Sequence, residues 1–477
     1  MFHRERSSMG AVGPPPHGFS LRESASPPPA LGLRAPALAG WLVAGLIGCE
    51  NASAPPAQEI GETPGLTAFV GARILDGTGS DPLESGVLLV RDGRIEAVGP
   101  TGSTLVPDGA RRVDVSGKTI IPGLIATHGH VGQTKGLESS PDNYTEENVL
   151  DQLSRYARYG VTTVVSLGGD VDPGLGVRDS QNSSDLDRAR LYIAGSALDG
   201  QTAEEGIKMV DEMADMGVDF IKLRVDDNLG TTQKATPEFY RAAIRRAHER
   251  GLKVTAHLYY LDDAKGLLEA GVDFLAHSVR DQEVDEDFIT LLKERNVCQT
   301  PTLVREMVSF IYQDVPDFFE DPFFLREVDP EVIEQLKDPA RQQQVRESRS
   351  AQAYKKALVV ASANVKKLVD GGATVALGTD SGQPARFQGY FEHLEMEFMA
   401  EAGLTPMQIL VASSGDAARC LGIDESLGTL APGKWADLVV LEEDPLVDIK
   451  NTRSIDSVWI AGNEVPALPE GGGPQTE

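Results

Sequence analysis

The sequence has few basic residues for its length. Lysine and arginine together number 44 against 72 aspartate and glutamate residues, so the formal net charge of the 477-residue chain is −28. An acidic surface repels phosphate backbones and anionic lipid headgroups. The composition therefore argues against nucleic acid as a partner and favours solubility, but it says nothing about the reaction. It leaves open whether the chain assembles into a homo-oligomer.

Long apolar runs are also scarce. Arg34 is followed by APALAGWLVAGLIGC, which is too short to span a bilayer as a helix but has the apolar middle and small-residue end of a signal peptide. Its last four residues, LIGC, resemble the bacterial lipobox, in which the cysteine is lipidated and becomes the first mature residue. We expect a leader and lipoprotein signal peptide over residues 1–48, lipidation at Cys49 and a flexible tether over 49–65. A plain signal peptide with a chance cysteine is the alternative.

These features predict an exported protein in the bacterial cell envelope, in the periplasm or at the outer membrane. We expect contact with a membrane only through the N-terminal lipid anchor. The chain has three cysteines, and lipidation at Cys49 would leave two thiols. Cys298 lies in an apolar strand and Cys420 at a helix end. We therefore expect both to be small core residues rather than a disulfide, despite the oxidising compartment.

The order of strand and helix patterns predicts the fold. Short β segments with Gly and Asp turns occur from Thr67 to Gly123 and again after residue 424. Between them, eight apolar runs of strand length, from TIIPGLIATH to TVALGTD, alternate with amphipathic helices. No Gly-rich phosphate loop follows the first run, which argues against a doubly wound open sheet. We predict the α/β class: a (β/α)8 TIM barrel with a small β-sandwich domain formed from both chain ends.

The predicted boundaries are a β-sandwich over 66–122 and 424–466, a hydrolase barrel over 123–423 and a disordered tail over 467–477. Residues 304–350 do not fit a minimal barrel, because they separate the seventh strand from its helix and include the aromatic, acidic stretch FIYQDVPDFFEDPFF. A long segment after a barrel strand lies on the catalytic face. It is either a lid or substrate wall, or a packed surface insertion.

Histidine is rare, with eight in the chain, yet two of them end the first barrel strand. Other polar residues fall at or near the ends of further strands, and a parallel barrel brings all these ends to one face. A single strand-end histidine usually has a structural role, but a group of neutral imidazoles with a carboxylate suits a borderline divalent ion. The six residues of this group are His128, His130, Lys222, His257, His277 and Asp380.

A lysine seems unsuited to a metal site, because its cationic amine repels the ion. Burial and nearby charge lower the pKa of an amine, and a neutral Lys222 can take up carbon dioxide to become an anionic carbamate with two oxygens. The alternative is that Lys222 pairs structurally with Asp226 or Asp227.

Several segments, IPGLIATHGH, DFIKL, TAH, AHS, LGTD and APGKWADLVVLEEDP, resemble the metal-dependent amidohydrolase superfamily. The resemblance is strongest to the branch of imidazolonepropionase-like proteins and Xaa-Pro dipeptidases. It implies two divalent metal ions, with zinc as the expected metal. His128, His130 and Asp380 would hold the more buried ion, and His257 and His277 the more exposed one. Carboxylated Lys222 and a hydroxide would bridge the two ions.

The resemblance implies a hydrolase that cleaves a non-aromatic C–N amide bond of a small substrate with this bridging hydroxide, with a dipeptide as the expected substrate. Asp380 would transfer the proton. Tyr259 would help hold the oxyanion, or would have an ordinary packing role. The stretch HLYYLDD lacks the Glu that deaminases place after the fifth-strand His, which argues against a deaminase.

Three arginines could clamp a substrate carboxylate: Arg224, Arg280 and Arg305. Surface ion pairs within the acidic chain are the alternative for each. Two other functions stay open. One is a lactone, carbamate or cyclic-amide hydrolase, because the same hydroxide attacks those groups. The other is a non-catalytic surface-binding lipoprotein that keeps the barrel as a scaffold.

Overall fold

The computed structural model describes residues 65–468. The predicted leader, the lipidation site Cys49, and nearly all of the predicted tether and tail lie outside the described residues. In the part of the chain that is described, no helix is long and apolar enough to cross a membrane.

The first five strands and the last three belong to one sheet, and the ten strands between them belong to the barrel and its loops. The strands are β1 (Leu66–Ile74), β2 (Leu83–Arg91), β3 (Arg94–Pro100), β4 (Arg111–Asp114), β5 (Thr119–Pro122), β6 (Leu124–Gly129), β7 (Thr134–Lys135), β8 (Glu138–Ser139), β9 (Val161–Ser166), β10 (Arg190–Ile193), β11 (Ala197–Leu198), β12 (Phe220–Val225), β13 (Lys253–Leu258), β14 (Phe274–Ala276), β15 (Cys298–Thr300), β16 (Leu438–Leu441), β17 (Ile455–Ile460) and β18 (Asn463–Glu464).

The helices lie between the barrel strands or follow them. They are α1 (Glu146–Arg158), α2 (Asp172–Asp179), α3 (Ala203–Met216), α4 (Pro237–Glu249), α5 (Leu261–Ala270), α6 (Glu286–Arg295), α7 (Leu303–Ile311), α8 (Pro322–Leu325), α9 (Pro330–Leu336), α10 (Pro339–Glu347), α11 (Arg349–Asp370), α12 (Tyr390–Glu401), α13 (Pro406–Ala412) and α14 (Gly415–Leu421). Short 3-10 helices occupy Pro141–Asn143, Asp317–Glu320 and Ile449–Arg453.

The small β domain takes strands from both ends of the described chain. Its sheet has the order β18-β17-β16-β5-β1-β2-β3, with β4 beside β1. The two ends meet where β16 pairs antiparallel with β5, with Val439 opposite Ile121. Apolar side chains such as Phe69, Leu438 and Trp459 are buried together in the core of this domain, and this burial holds the late strands to the early ones.

The barrel strands run parallel in two groups, β10-β9-β6 and β11-β12-β13-β14-β15. The predicted eighth strand, TVALGTD, closes the ring between β15 and β6 through backbone hydrogen bonds, such as Ala376 N to Gln299 O at 3.0 Å and Thr127 N to Leu377 O at 2.8 Å. It is an extended segment with isolated bridges rather than a regular strand. A Cβ at Gly378 would lie 2.8 Å from the backbone nitrogen of His128, so only glycine allows this close approach.

The predicted run TIIPGLIATH is divided in the structure. Its first part, β5, belongs to the β domain, and its second part, β6, begins the barrel. The break falls at Gly123, where a Cβ would lie 2.1 Å from the hydroxyl of Thr162. The predicted helices are confirmed, with Thr145 and Thr202 as N-caps and Gly217 and Gly271 as left-handed C-caps.

Residues 304–350 contain α7 to α10 and are mostly helical rather than a loop. Their aromatic side chains, including Phe319 and Phe324, pack with Tyr390 and Phe391 of α12 in a buried cluster. The aromatic residues of this segment thus form a second apolar core outside the barrel. Part of the segment, around Asp329, also lines a cavity of about 620 Å³.

The expectation that Cys298 and Cys420 stay unpaired is wrong. The two residues form a disulfide between β15 and α14, with their Cα atoms 6.0 Å apart. They are separated by 122 residues in sequence. The apolar residues around each cysteine predict that it is buried. They do not show which distant residue it contacts, so the sequence suggested two separate core residues.

Candidate metal centre

The ends of the barrel strands bring the six predicted ligands to one region. His128 lies in β6, and His130 follows its last residue. Lys222 lies in β12, His257 in β13, and His277 directly after β14. Asp380 ends the ring-closing segment. The side chains converge because parallel strands end on the same face.

His130, His128 and Asp380 lie in contact. The Nε2 atom of His130 is 2.8 Å from Asp380 Oδ1, and Nε2 of His128 is 3.5 Å from the same oxygen. Burial alone would raise the pKa of Asp380, but the Arg386 guanidinium and the two imidazoles hold it well below its usual range. The carboxylate is therefore ionised at neutral pH and can act as a ligand.

The hydrogen bonds of His130 indicate whether its environment suits a bound cation. Its Nδ1 atom is 3.2 Å from the carbonyl oxygen of Gly168, and a carbonyl only accepts, so Nδ1 carries the proton. In a neutral ring, Nε2 then presents a lone pair to the Asp380 carboxylate. Two lone pairs at 2.8 Å repel unless the ring takes a second proton or a cation is shared between them. A metal ion bound by both atoms would satisfy this arrangement.

His257 and His277 each have one ring nitrogen held by a neighbour. Nε2 of His257 is 2.7 Å from Asp226 Oδ2, and Nδ1 of His277 is 2.7 Å from the hydroxyl of Thr302. The carboxylate of Asp226 only accepts, so it fixes the tautomer of His257, and both contacts leave the other ring nitrogen free as a ligand. The two rings lie 4.2 Å apart between centroids.

Lys222 is buried beside His128, with its Nζ atom 3.5 Å from Nε2 of that ring. The alternative pairing with Asp226 or Asp227 is not seen, because Asp226 contacts His257 and Asp227 accepts from the hydroxyl of Tyr260. Burial lowers the pKa of Lys222 to about 7. A substantial fraction of the amine is then neutral at physiological pH.

Burial also favours the neutral form of three of the imidazoles, those of His128, His257 and His277. It lowers the pKa of His257 to about 3, and it lowers the pKa values of His128 and His277 well below the ordinary value. Neutral imidazole is the form that binds metals. In each case desolvation of the charged ring is the largest cause.

The donor set fits a divalent metal ion. One ligand atom each from His128, His277 and Asp380 lies within 4.8 Å of the other two, and all three residues are buried. The Nδ1 atom of His128 is buried without a hydrogen-bond partner, which is unfavourable for a polar atom unless a ligand is supplied. Imidazole and carboxylate are ligands that borderline ions such as zinc prefer.

The predicted substrate residues have different environments. Arg224 lies opposite His257 in the strand register, its side chain is 37% exposed, and it is 3.7 Å from Asp199. Arg305 is nearly buried, contacts Glu306, and lies 3.8 Å from Asp380 Oδ2. Both are therefore close to the candidate centre.

Arg280 and Tyr259 pack against each other. Arg280 is fully buried; its guanidinium donates to the carbonyls of Leu258 and Ser278 and lies 3.0 Å from Glu306. It also lies 4.7 Å from the centre of the Tyr259 ring. Only Nη1 of the guanidinium thus makes hydrogen bonds, while Nε and Nη2 are buried without a hydrogen-bond partner among the described residues. Burial raises the pKa of Tyr259, so its hydroxyl stays protonated at neutral pH.

Sequence reasoning missed two neighbours of the centre, Thr302 and Arg386. Thr302 holds His277, and Arg386 donates to Asp380 and also lines the 620 Å³ cavity. The cavity therefore reaches the candidate centre at Arg386. The residue lies only six positions beyond Asp380, in a polar stretch that follows the last barrel strand. That position was the one sequence signal for its role.

Fold and site together define a parallel barrel that carries a candidate metal centre at its strand ends. The chain belongs to the amidohydrolase family, whose model matches residues 119–465. Its members typically use divalent metal ions and hydrolyse carbon–nitrogen bonds. The resemblance expected from the sequence motifs is thus confirmed.

Individual relatives of known name share limited sequence identity with this chain. Ochratoxinase from Aspergillus niger is 28% identical over 268 residues, which is 54% of this chain and 46% of the ochratoxinase. The chain thus spans about half the length of this curated relative.

Solved structures match nearly the whole fold. A chain from Bifidobacterium longum assigned as a prolidase superposes with a TM-score of 0.69 at 24% identity, covering 86% of this chain and 96% of that one. A Xaa-Pro dipeptidase with bound methionine gives 0.68 at 20% identity, covering 84% and 99%. These superpositions confirm the predicted barrel with an additional β domain.

Proposed function

We propose that the protein hydrolyses a non-aromatic amide bond in a small substrate, with a dipeptide as the substrate class. The observation that carries the proposal is the group of four imidazoles, one lysine and one carboxylate in mutual contact at the strand ends. Similarity to a Xaa-Pro dipeptidase supports the substrate class.

The residues suit two divalent ions. His128, His130 and Asp380 would hold one, and His257 with His277 the other. Lys222, as a carbamate, would bind both. Its burial and its pKa of about 7 support this step, because only the neutral amine reacts with carbon dioxide. Bound cations would polarise the substrate carbonyl and make a hydroxide available near neutral pH.

Side chains of the chain itself would handle the proton and the substrate. Asp380 is ionised and exposes 10% of its side chain, so it can accept the proton of the attacking water and deliver it to the departing nitrogen. Arg224 and Arg305 could hold a substrate carboxylate, because both lie beside the ligand residues. The cavity lined by Arg386, which donates to Asp380, offers room for a dipeptide-sized molecule.

We further propose that the protein is exported and anchored by lipid at Cys49. The disulfide between Cys298 and Cys420 supports export, because such bonds persist in oxidising compartments and are rare in the cytosol.

The test is elemental analysis of the full-length chain coupled to panels of dipeptides, lactones and carbamates. We expect about two divalent ions per chain, turnover of at least one dipeptide, and a loss of about 100-fold or more in kcat for Asp380→Asn. The matched control is Asp170→Asn. Asp170 is another buried aspartate near the strand ends, and it accepts from the backbone N–H groups of Ala194 and Gly195.

Metal content and kcat of the control should stay close to the wild type. A wild-type protein that takes up no zinc or manganese and is inert toward the dipeptide panel would overturn the proposal. Turnover of lactones or carbamates alone would replace the substrate class and keep the metal centre.

A further inference from the structure

Helix α12 carries two buried carboxylates that the proposed mechanism does not use. Glu392 and Glu395 are both 0% exposed and lie three positions apart on the helix, so they share a face. Within residues 65–468 neither forms an ion pair; each is satisfied by hydrogen bonds alone. Burying a charge without a cationic partner is costly, so the bonds that each carboxylate makes require an explanation.

Glu392 holds both neighbours of Asp380. Its Oε1 atom accepts from the hydroxyls of Thr379 at 2.6 Å and Ser381 at 2.7 Å. Asp380 itself has a φ of +61°, in the left-handed region that is unfavourable for a residue with a side chain. Glu392 thus binds the side chains of the residues on both sides of Asp380. These two hydrogen bonds fix the backbone conformation that directs the Asp380 carboxylate toward His130.

Glu395 acts on a second loop of the centre. Its two oxygens accept from the backbone N–H groups of Leu303 at 2.8 Å and Val304 at 2.7 Å, at the start of α7. The preceding residue, Thr302, has a φ of +53° and presents its hydroxyl to Nδ1 of His277 at 2.7 Å. Glu395 thus fixes the backbone that carries the partner of His277.

We infer that Glu392 and Glu395 are positioning residues of the metal centre, which set the orientation of Asp380 and His277 from a single helix. The inference rests on the metal centre proposed above. It extends that proposal, because one helix would then set the orientation of two of the three residues whose ligand atoms lie within 4.8 Å of one another, Asp380 and His277. Partners of this kind typically change metal affinity 10- to 100-fold when removed.

His393 provides a matched control on the same helix. It lies between the two glutamates and is buried, but its ring contacts the hydroxyl of Thr452 and the carbonyl of Tyr159. Neither partner adjoins a predicted ligand. His393→Gln therefore disturbs a buried polar contact of α12 without reaching the centre.

The experiment compares Glu392→Met, Glu395→Gln and His393→Gln in the full-length protein. A glutamine at position 395 turns an NH₂ group toward one of the two backbone N–H donors. At position 392 both hydroxyls donate to the same oxygen, Oε1, which a glutamine would keep, so methionine is used there to remove the acceptor. The measurements are the Co²⁺ affinity in competition with a chelator, the visible absorption spectrum of the Co²⁺-loaded protein, the Tm of the metal-free protein, and kcat and KM.

For the glutamate variants we expect Co²⁺ binding about 10- to 100-fold weaker, an altered Co²⁺ spectrum, and a lower kcat with little change in KM. For His393→Gln we expect a lower Tm with the wild-type spectrum and affinity. The inference fails if the glutamate variants keep the wild-type spectrum and affinity, or change them no more than His393→Gln does. Failure of the proposed function is a separate result, since it appears as absence of metal in the wild type.

If a glutamate variant does not fold, substitutions of the residues that each glutamate positions keep the inference testable. Thr302→Val removes the hydroxyl that holds His277, and Thr302→Ser restores it. Loss of the Co²⁺ spectrum in the valine variant, with recovery in the serine variant, supports the positioning of His277 through Thr302. Equal spectra in both variants count against it. Ser381→Ala removes one of the hydroxyls that Glu392 binds, and so tests the positioning of Asp380. An unchanged Co²⁺ spectrum in this variant counts against that role.

Discussion

Loss of the disulfide between Cys298 and Cys420 should lower the stability of the protein without altering its metal centre. The bond closes a loop of 122 residues. In the chain-entropy model, a cross-link over a loop of that length stabilises the folded state by about 5 kcal/mol. Cys298 is the first residue of β15, at the opposite end of that strand from Thr302, so the effect should stay away from the ligands.

The expected shift in Tm follows from the size of the folded unit. About 400 described residues imply an unfolding entropy of about 0.8 kcal/mol per kelvin, so 5 kcal/mol corresponds to a fall in Tm of about 6 °C. Reduced wild type and the double variant Cys298→Ala/Cys420→Ala should both show this fall in calorimetry. Reductant should not shift the double variant further.

Metal content and kcat at 25 °C should be the same in all three samples. The reasoning would be refuted by two titratable thiols in the protein isolated from an oxidising compartment, or by a Tm that reductant moves by less than about 1 °C. A matched single variant, Cys420→Ala, should lose nearly the full amount, because the loop opens when either sulfur is removed.

Other predictions distinguish a structural role from a role in substrate binding or catalysis for individual residues. Arg280→Met should destabilise the fold by about 3–5 kcal/mol in urea unfolding, because it leaves the buried Glu306 with one fewer partner; an unchanged midpoint with a raised KM would favour the substrate role instead. Arg224→Met, on the exposed rim, should leave Tm unchanged and raise KM for substrates with a free carboxylate, and an unaltered KM would remove Arg224 from the site. Tyr259→Phe should lower kcat about 100-fold if its hydroxyl stabilises the oxyanion, whereas a wild-type kcat would leave the ring as packing for Arg280. Burial lowers the pKa of His393 to about 3 from 6.5, so the unfolded chain binds the extra proton between these values and stability falls as the pH is lowered through that window; His393→Gln should remove up to about 1.4 kcal/mol of that loss per pH unit. Parallel stability curves for metal-free wild type and His393→Gln between pH 6.5 and 5 would contradict this assignment.

Much of the fold was predictable because local patterns report burial. Alternation of apolar runs with amphipathic helices predicted seven regular barrel strands and the helices that follow them. The prediction of the eighth strand was only partly right, because Gly378 and the left-handed backbone of Asp380 interrupt the regular pairing of this segment. The helices within residues 304–350 were not predicted from the sequence, because the many prolines and aromatic residues of this segment weaken its helical periodicity. Helix caps at Asp321, Asp329 and Asp338 were the signals that could have found them.

The ligand residues were predictable for a topological reason. A parallel barrel sends the end of every strand to one face, so polar residues at strand ends meet whatever the loops between them do. The sequence therefore predicted that His128, His277 and Asp380 lie together, and the structure places one ligand atom of each within 4.8 Å of the other two.

The sequence by itself determined most of the barrel elements, the class of fold and the set of candidate ligand residues, because hydrophobic period and strand-end position are local properties. Only the tertiary structure decided the partners of those ligands. Asp226 beside His257, Thr302 beside His277 and Glu392 beside the neighbours of Asp380 are separated by 31, 25 and about a dozen positions. A pattern of apolar residues states that a face is buried, but the packing of helices on strands decides which polar atoms lie within 3 Å of one another.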